Sequence, residues 1–347
     1  GRDRHGSDRN AADRGEPMVT QPRTQSSRAP RGVALINALL IVAALSAVTV
    51  ALLQRTDASV SRSIELQRAG QTELYLDALT LQLRDVIGPA ESAPGGETSI
   101  VERGQRWAQP ATQVAIGDGI AAWNVDDLQG RFDLAWLTIN LESPLSENDD
   151  GEEQELDFNA MVQDAFRQIA LDRGVSRGQL RRLEQALIPS LGQRVTAYGR
   201  ATRPPPLPPS ALEELLLVDG IDDDVLDRLA PVIATLGQDG ASLNLNTVSA
   251  EVLAALLGES SGDGLSQRLA AERPFTTSED ALRWVEDRAG ADRKALMESL
   301  GAEIDSTWFE ARIELQLDTL VLARRVVLQR IRPDACCRIQ SVLPEYP

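Results

Sequence analysis

Residues 33–53 form a run of 21 residues without a charged side chain. At about 1.5 Å of rise per residue, such a run is long enough to cross a hydrocarbon core as a helix. A chain that carries it must place it in lipid or against other apolar helices. Arg23, Arg28 and Arg31 precede it. The expectation is therefore that the short N-terminal segment stays cytoplasmic while the rest crosses. A secretory signal peptide would end its apolar core at a small-residue cleavage site and then change character. Here the apolar run flows without a break into a long amphipathic segment, and the polar-to-apolar junction lies on the other side, at Gly32-Val33. A plain signal-anchor helix is the simpler alternative.

The rest of the chain is strongly acidic. The whole sequence carries a formal charge of −17, and residues 1–32 hold seven Arg and four acids, which leaves 28 basic against 48 acidic groups beyond them, or −20. Such a surface repels nucleic acid and anionic lipid headgroups. The single His is His5, so histidine-dependent catalysis and His-bound zinc are excluded beyond the first residues. The two cysteines, Cys336 and Cys337, are adjacent. Neighbouring cysteines pair only through a strained eight-membered ring, so free thiols or a disordered tail are expected. Residues 1–17 are polar and patternless, and Met18 would be a natural start; they are read as extraneous upstream sequence.

Residues 54–84 keep a helical rhythm, with Val60, Ile64, Leu74, Ala78 and Leu81 near one stripe and Gly88-Pro89 as the stop. Short strands are expected at Trp107, at 114–116 and at 120–125, with turns at Gly117-Asp118-Gly119 and Gln129-Gly130. The acidic run at 147–157 lacks an EF-hand register and reads as a solvated loop. A helical block then begins at Phe158. Met161, Ala165, Ile169 and Ala170 share one face, and Leu180, Leu183, Leu187 and Ile188 another. Residues 203–209 are too rich in Pro for a helix or inner strand and read as an extended connector.

Ser210 followed by Glu213 has the spacing of a capping box ahead of a leucine-rich helix that Gly220 would end. Asp222, Asp223 and Asp224 begin another helix, where negative charge suits the dipole. Asn246-Thr247 leads into a helix with apolar Val252, Leu253, Leu256 and Leu257, and residues 277–285 add one more. Finally, residues 308–317 alternate strictly. Phe309, Ala311, Ile313 and Leu315 oppose Glu310, Arg312, Glu314 and Gln316. With 320–331 and a tight turn at Asp318-Thr319 they make a hairpin expected to rejoin the early strands in one antiparallel sheet. No constellation argues for an enzyme: paired carboxylates can be nominated anywhere in so acidic a chain, and Gly-rich stretches lack a phosphate-loop context.

The stretch Arg31-Gly32-Val33 with its apolar continuation resembles the leader of type IV pilins and type II secretion pseudopilins. In that family a prepilin peptidase cuts after the glycine and the new N-terminus is methylated. The resemblance thus implies cleavage between Gly32 and Val33 and N-methylation of Val33. The family usually has Glu at the fifth mature position, where this chain has Asn37. In a filament packed through apolar helices that Glu offsets the buried ammonium of a neighbouring subunit, since an unpaired charge there is costly. A subunit with nothing above it does not need the carboxylate. The large minor pseudopilins of the protein K family lack this Glu, and the stretches 210–221 and 243–257 are similar to theirs as well.

The resemblance implies an α+β fold. A pilin-like long N-terminal helix packs on an antiparallel sheet, with a large all-α insertion of the SAM-like or helix-hairpin-helix-like kind. The domains are then 1–32 leader, 33–88 transmembrane and spine helix, 89–139 first pilin-like part, 140–300 helical insertion, 301–333 second part of the sheet and 334–347 tail. It implies a non-enzymatic subunit that caps the tip of the secretion pseudopilus and nucleates its assembly. Its partners would be minor pseudopilins I and J, prepilin peptidase and inner membrane lipid, not nucleic acid. The location would be the bacterial inner membrane, single-pass, with the bulk in the periplasm. Some family members bind calcium through acids of the helical domain, which makes calcium a cofactor to test. The acidic segment that precedes their Pro-rich approach is replaced here by Ala186-Leu-Ile-Pro-Ser-Leu-Gly192, so no metal ligands are assigned. The alternatives are a membrane-anchored helix-hairpin-helix protein that handles DNA outside the cytoplasm, and a minor type IV pilin.

Overall fold

The computed structural model describes residues 31–88, 91–92, 99–138, 141, 145–147, 153–188, 211–237, 242–259, 264–318, 320–331 and 337–345. The chain divides into two units, Gly1–Arg68 and Ala69–Pro347. Helix α1 (Arg31–Ile87) begins in the first and ends in the second. In the first unit every described side chain of α1 is exposed, including Leu35, Leu39, Leu45 and Leu53. This part of α1 has a mean hydropathy of 2.5 over its most apolar window, and by length and composition it is sufficient to cross a membrane.

The second unit is built around an antiparallel sheet. Its strands in chain order are β1 (Glu91–Ser92), β2 (Ser99–Ile100), β3 (Ala111–Ile116), β4 (Gly119–Asp127), β5 (Phe132–Asp133), β6 (Leu145–Glu147), β7 (Glu153–Glu155), β8 (Ile233–Ala234), β9 (Trp308–Leu317), β10 (Leu320–Gln329) and β11 (Arg338–Glu345). Five of these make the main sheet in the order β11-β10-β9-β4-β3, with every neighbour antiparallel. Early and late strands therefore meet at β4 and β9, where Trp123 lies opposite Ile313 and Val125 opposite Ala311. The alternation in β9 is the cause: Phe309, Ala311, Ile313 and Leu315 are fully buried while Arg312, Glu314 and Gln316 are exposed.

The last turns of α1 cover the buried face. Leu76, Leu79, Leu83, Val86 and Ile87 pack in one cluster with Trp123, Val125, Phe309, Ile313 and Val326. Each such side chain contributes about 1.5–3 kcal/mol relative to exposure. This corrects the stripe read from the sequence. Leu74, Ala78 and Leu81 lie on the opposite, exposed face, with Leu74 70% and Leu81 55% exposed. The helix carries two apolar stripes, and periodicity alone does not say which one the sheet takes.

Three further expectations change. Trp107 is not in a strand but in a 3-10 turn, Arg106–Ala108. There its ring meets Phe309 edge-on at 5.3 Å and its indole N–H donates to Gln105 Oε1. The leucine-rich helix expected from Ser210 is a 3-10 helix, Leu212–Leu217, in which Glu213 pairs with Arg325 at 2.6 Å; Ser210, on which the capping box depends, lies outside the described residues. The segment read as a tail contains β11, which pairs with β10. There Cys337 is buried and disulfide-bonded rather than a free thiol; Cys336 lies outside the described residues. Ile339 and Val342 remain 38% and 44% exposed. An edge strand that buries so little leaves no strong alternation to read.

Between β4 and β9 the described residues are mostly helical: α2 (Phe158–Asp172), α3 (Arg177–Leu187), α4 (Asp223–Leu229), α5 (Ala250–Leu257), α6 (Leu265–Glu272), α7 (Ser278–Ala289) and α8 (Ala291–Ser299). Polar caps set their starts. Asp157, Asp222, Ser249 and Thr277 accept from amides of their first turns, and Ser176 with Gln179 forms a complete capping box at α3. These helices share a second hydrophobic cluster, centred on Phe132, Trp136, Phe158 and Phe166. Phe132 and Trp136 meet edge-on at 5.1 Å. The acidic run expected as a loop is partly structured instead: Glu147 ends β6 and pairs with Glu153 of β7, and Asp157 caps α2, while residues 148–152 lie outside the described residues.

Candidate functional site

The leader residues come first. Gly32 and Val33 sit in the first turn of α1, and no acid stands in that turn to offset the positive end of the helix dipole. Asn37 is exposed four residues beyond Val33 and so lies on the same face, one turn along. Below the membrane-length run, the exposed stripe Leu74–Ala78–Leu81 is the apolar face of α1 that the second unit leaves uncovered.

The second feature is a buried polar knot that fastens the helical block to the sheet. Asp127, the last residue of β4, is 7% exposed and accepts four hydrogen bonds. Oδ1 takes Gln129 N at 2.9 Å, and Oδ2 takes Asn244 Nδ2 at 3.0 Å, Thr247 Oγ1 at 2.5 Å and Ser306 Oγ at 2.5 Å. Burial pushes its carboxyl up, and the Ser306, Thr247, Gln129 and Asn244 hydrogen bonds oppose that. Asn244 Nδ2 also donates to Val101 O and Ser306 Oγ. The sequence read Asn246-Thr247 as the entry to a helix. The structure puts both in a turn ahead of α5, where Asn246 exchanges two bonds with the backbone of Phe275. Gly130 is required here, because a Cβ would lie 2.8 Å from Thr247 O. The Gly-basic step then places Arg131 between Glu310, at 3.1 Å, and the carbonyl of Ala230. These bonds join β4, the turn ahead of α5 and Ser306 just before β9 in one buried cluster.

Asp133 is a different case. It is 1% exposed; Oδ1 accepts Ala135 N and Leu236 N, and Oδ2 has no partner among the described residues. Burial pushes its carboxyl up from 3.8 to about 7, against the pull of the two amides. The folded state thus holds this proton more tightly than the unfolded chain. Its contribution is most favourable below the unfolded pKa of 3.8 and is lost as pH rises through about 7. Asp133→Asn is expected to flatten the stability profile across that window. At pH about 8 it should be more stable than the parent by about 1–2 kcal/mol, the desolvation relieved less the cost of an unpaired amide. Urea midpoints at several pH values measure it, and an unchanged slope in the variant would remove Asp133 as the source.

No metal centre is visible: among the described residues no group of three or more His, Cys, Asp or Glu is placed to hold an ion. A cleft of about 680 Å³ lies on the outer face of the sheet, where five carboxylates, among them Asp126, Glu213 and Glu310, alternate with Arg131, Arg312 and Arg325. That lining pairs charges internally and does not fit calcium, which takes oxygens without cations between them. Asp222 of the acid triplet is spent as the cap of α4.

A long apolar N-terminal helix whose C-terminal turns back an antiparallel sheet is the pilin-like class of fold. No protein-family model matches the chain. It is similar to type II secretion system protein K of Aeromonas hydrophila, 27% identical over 312 residues that cover 83% of this chain and 89% of the relative. Protein K of Pectobacterium carotovorum is 25% identical over 234 residues, covering 63% and 67%. The crystal structure of the GspK–GspI–GspJ complex from enterotoxigenic Escherichia coli contains a chain with the same fold, at a TM-score of 0.58 and 16% identity over 82% of this chain and all of that one. Within the pilin-like class, these likenesses support a minor pseudopilin of the type II secretion system, of the protein K family.

Proposed function

We propose that this chain is the subunit at the tip of a type II secretion pseudopilus, where it assembles with minor pseudopilins I and J and stops further addition. The observation that carries the reading is the pair of apolar stripes on α1. One is taken by the sheet, and the other, Leu74–Ala78–Leu81, is free for neighbouring helices. The helical block, read as a SAM-like or helix-hairpin-helix-like insertion at 140–300, supplies bulk that would obstruct a subunit arriving above. Asn37 in place of Glu suits a position with no ammonium to neutralise. The apolar run anchors the chain once in the inner membrane, with the leader cytoplasmic and the bulk periplasmic. The role is assembly and not catalysis.

A DNA-binding reading of the helical block is disfavoured by Glu259. Its carboxylate accepts Leu265 N at 2.8 Å and Ser266 N at 3.1 Å, filling the amides at the start of α6 that a phosphate would use. Partial burial pushes this carboxyl up, but the Ser266 and backbone bonds outweigh it and hold it below its ordinary value.

Prepilin peptidase is the enzyme expected to act on the junction. Intact mass and N-terminal sequencing of membrane-extracted protein, made with and without that peptidase, test it. A chain beginning at N-methylated Val33 only when the peptidase is present is the expected result. An uncut chain, or one cut beyond Leu53, would remove the pseudopilin leader.

A further inference from the structure

We infer that Arg103 and Arg273 form a binding site for an oxyanion. The two residues come from segments far apart in sequence and meet at consecutive carbonyls. Arg103, in the turn after β2, donates from Nη2 to Thr247 O at 2.8 Å and from Nε at 3.3 Å. Arg273, the residue that ends α6, donates from Nη1 to Val248 O at 2.9 Å. Among the described residues no carboxylate pairs with either. Arg131, Arg167, Arg173, Arg283 and Arg325, by contrast, each hold a carboxylate.

Arg273 is the more telling of the two. Its Nε and Nη2 are shielded from solvent and have no hydrogen-bond partner. Burial first, and then the charge of Arg103, lower its pKa to about 10. Two guanidiniums held near each other without an acid repel each other, and an anion bound at the exposed Arg103 offsets that repulsion. Arg103 is exposed and gives the approach, and the two carbonyls hold both forks in place. A guanidinium fork suits a planar carboxylate or a phosphate, so the chemistry recognised is an oxyanion, either a free inorganic ion or an acidic side chain on another protein segment. The site is separate from the assembly face of α1 and does not rest on the reading given for it.

Calorimetric titration of the detergent-extracted full chain separates the two sources. One arm uses sodium phosphate against sodium chloride at matched ionic strength. The other uses an acetylated, amidated Gly-Glu-Gly peptide. Saturable binding of phosphate supports a free-ion site, and binding of the peptide alone supports a side-chain carboxylate. In either case Arg103→Gln, at an exposed position, should weaken binding about tenfold or more, as expected for loss of a charged bidentate partner. Arg273→Gln should do the same if it folds, and the Arg103 variant decides the matter if it does not. No saturation in either arm, or binding unchanged in Arg103→Gln, would overturn the assignment.

Discussion

Asp127→Ala is expected to destabilise the second unit by about 3–5 kcal/mol, the range for removing one partner of a buried charged network. The loss is large because four donors converge on one carboxylate, and of these only Asn244 Nδ2 has other acceptors among the described residues, Val101 O and Ser306 Oγ. Gln129 N, Asn244 Nδ2, Thr247 Oγ1 and Ser306 Oγ would all face a methyl group in a site closed to water. Each neutral orphan costs about 1–3 kcal/mol, and relaxation recovers part of the sum. The isosteric Asp127→Asn should lose less, about 1–2 kcal/mol, since its carbonyl still serves Gln129 and only the new amide opposes that of Asn244. Urea denaturation followed by tryptophan fluorescence measures both variants. Equal losses in Ala and Asn would mean that the carboxylate charge, and not the hydrogen-bond geometry, holds the knot.

The knot also shows where a single sequence stops being informative. Asp127, the turn carrying Asn244 and Thr247, and Ser306 come from three separate stretches of chain, and each is an ordinary turn or cap element by itself. Only the close approach of Gly130 to Thr247 and the pairing of β4 with β9 bring them together. The Arg103–Arg273 pair is hidden for the same reason. What could be read was what repeats locally. The alternation of β9 predicted its buried face residue by residue, and the spacing of Leu180, Leu183, Leu187 and Ile188 predicted the buried side of α3. The apolar run at 33–53 was legible because length and lack of charge suffice.

Reading failed where two answers satisfied the same pattern. Helix α1 carries apolar residues on two faces, and the sheet chose Leu76, Leu79 and Leu83 over Leu74, Ala78 and Leu81. Arg324 of β10 adds polar contacts to that face, its Nη1 reaching Asp77 at 2.8 Å and its Nη2 reaching Glu73. Trp107 looked like a strand residue because a lone aromatic suits a pleated surface, yet its indole N–H found Gln105 two residues back and a turn resulted.

Arg330→Ala is expected to cost about 2–4 kcal/mol, clearly more than Arg324→Ala at about 1 kcal/mol, although both arginines join the end of α1 to the sheet. The difference lies in where the partners sit. Arg324 is buried, but Glu73 and Asp77 are 65% and 62% exposed, so water screens the pair and the main loss is packing of the arginine stem. Arg330 is 5% exposed and spans three elements. Its Nη2 donates to the carbonyl of Ile87, the last residue of α1, and its Nη1 donates to Ser306 O at 3.1 Å. Its guanidinium lies 4.9 Å from the centre of the Phe309 ring, with Asp305 3.7 Å away. A terminal helix carbonyl buried without a donor is costly. Hydrogen exchange gives a readout that global stability does not. In Arg330→Ala the amides of the last turns of α1 should exchange faster than those of β9, because the cap is lost while the ladder remains. If both variants cost the same, or if exchange quickens evenly across helix and sheet, then packing of Leu76, Leu79 and Leu83 alone docks the helix and the cap adds nothing.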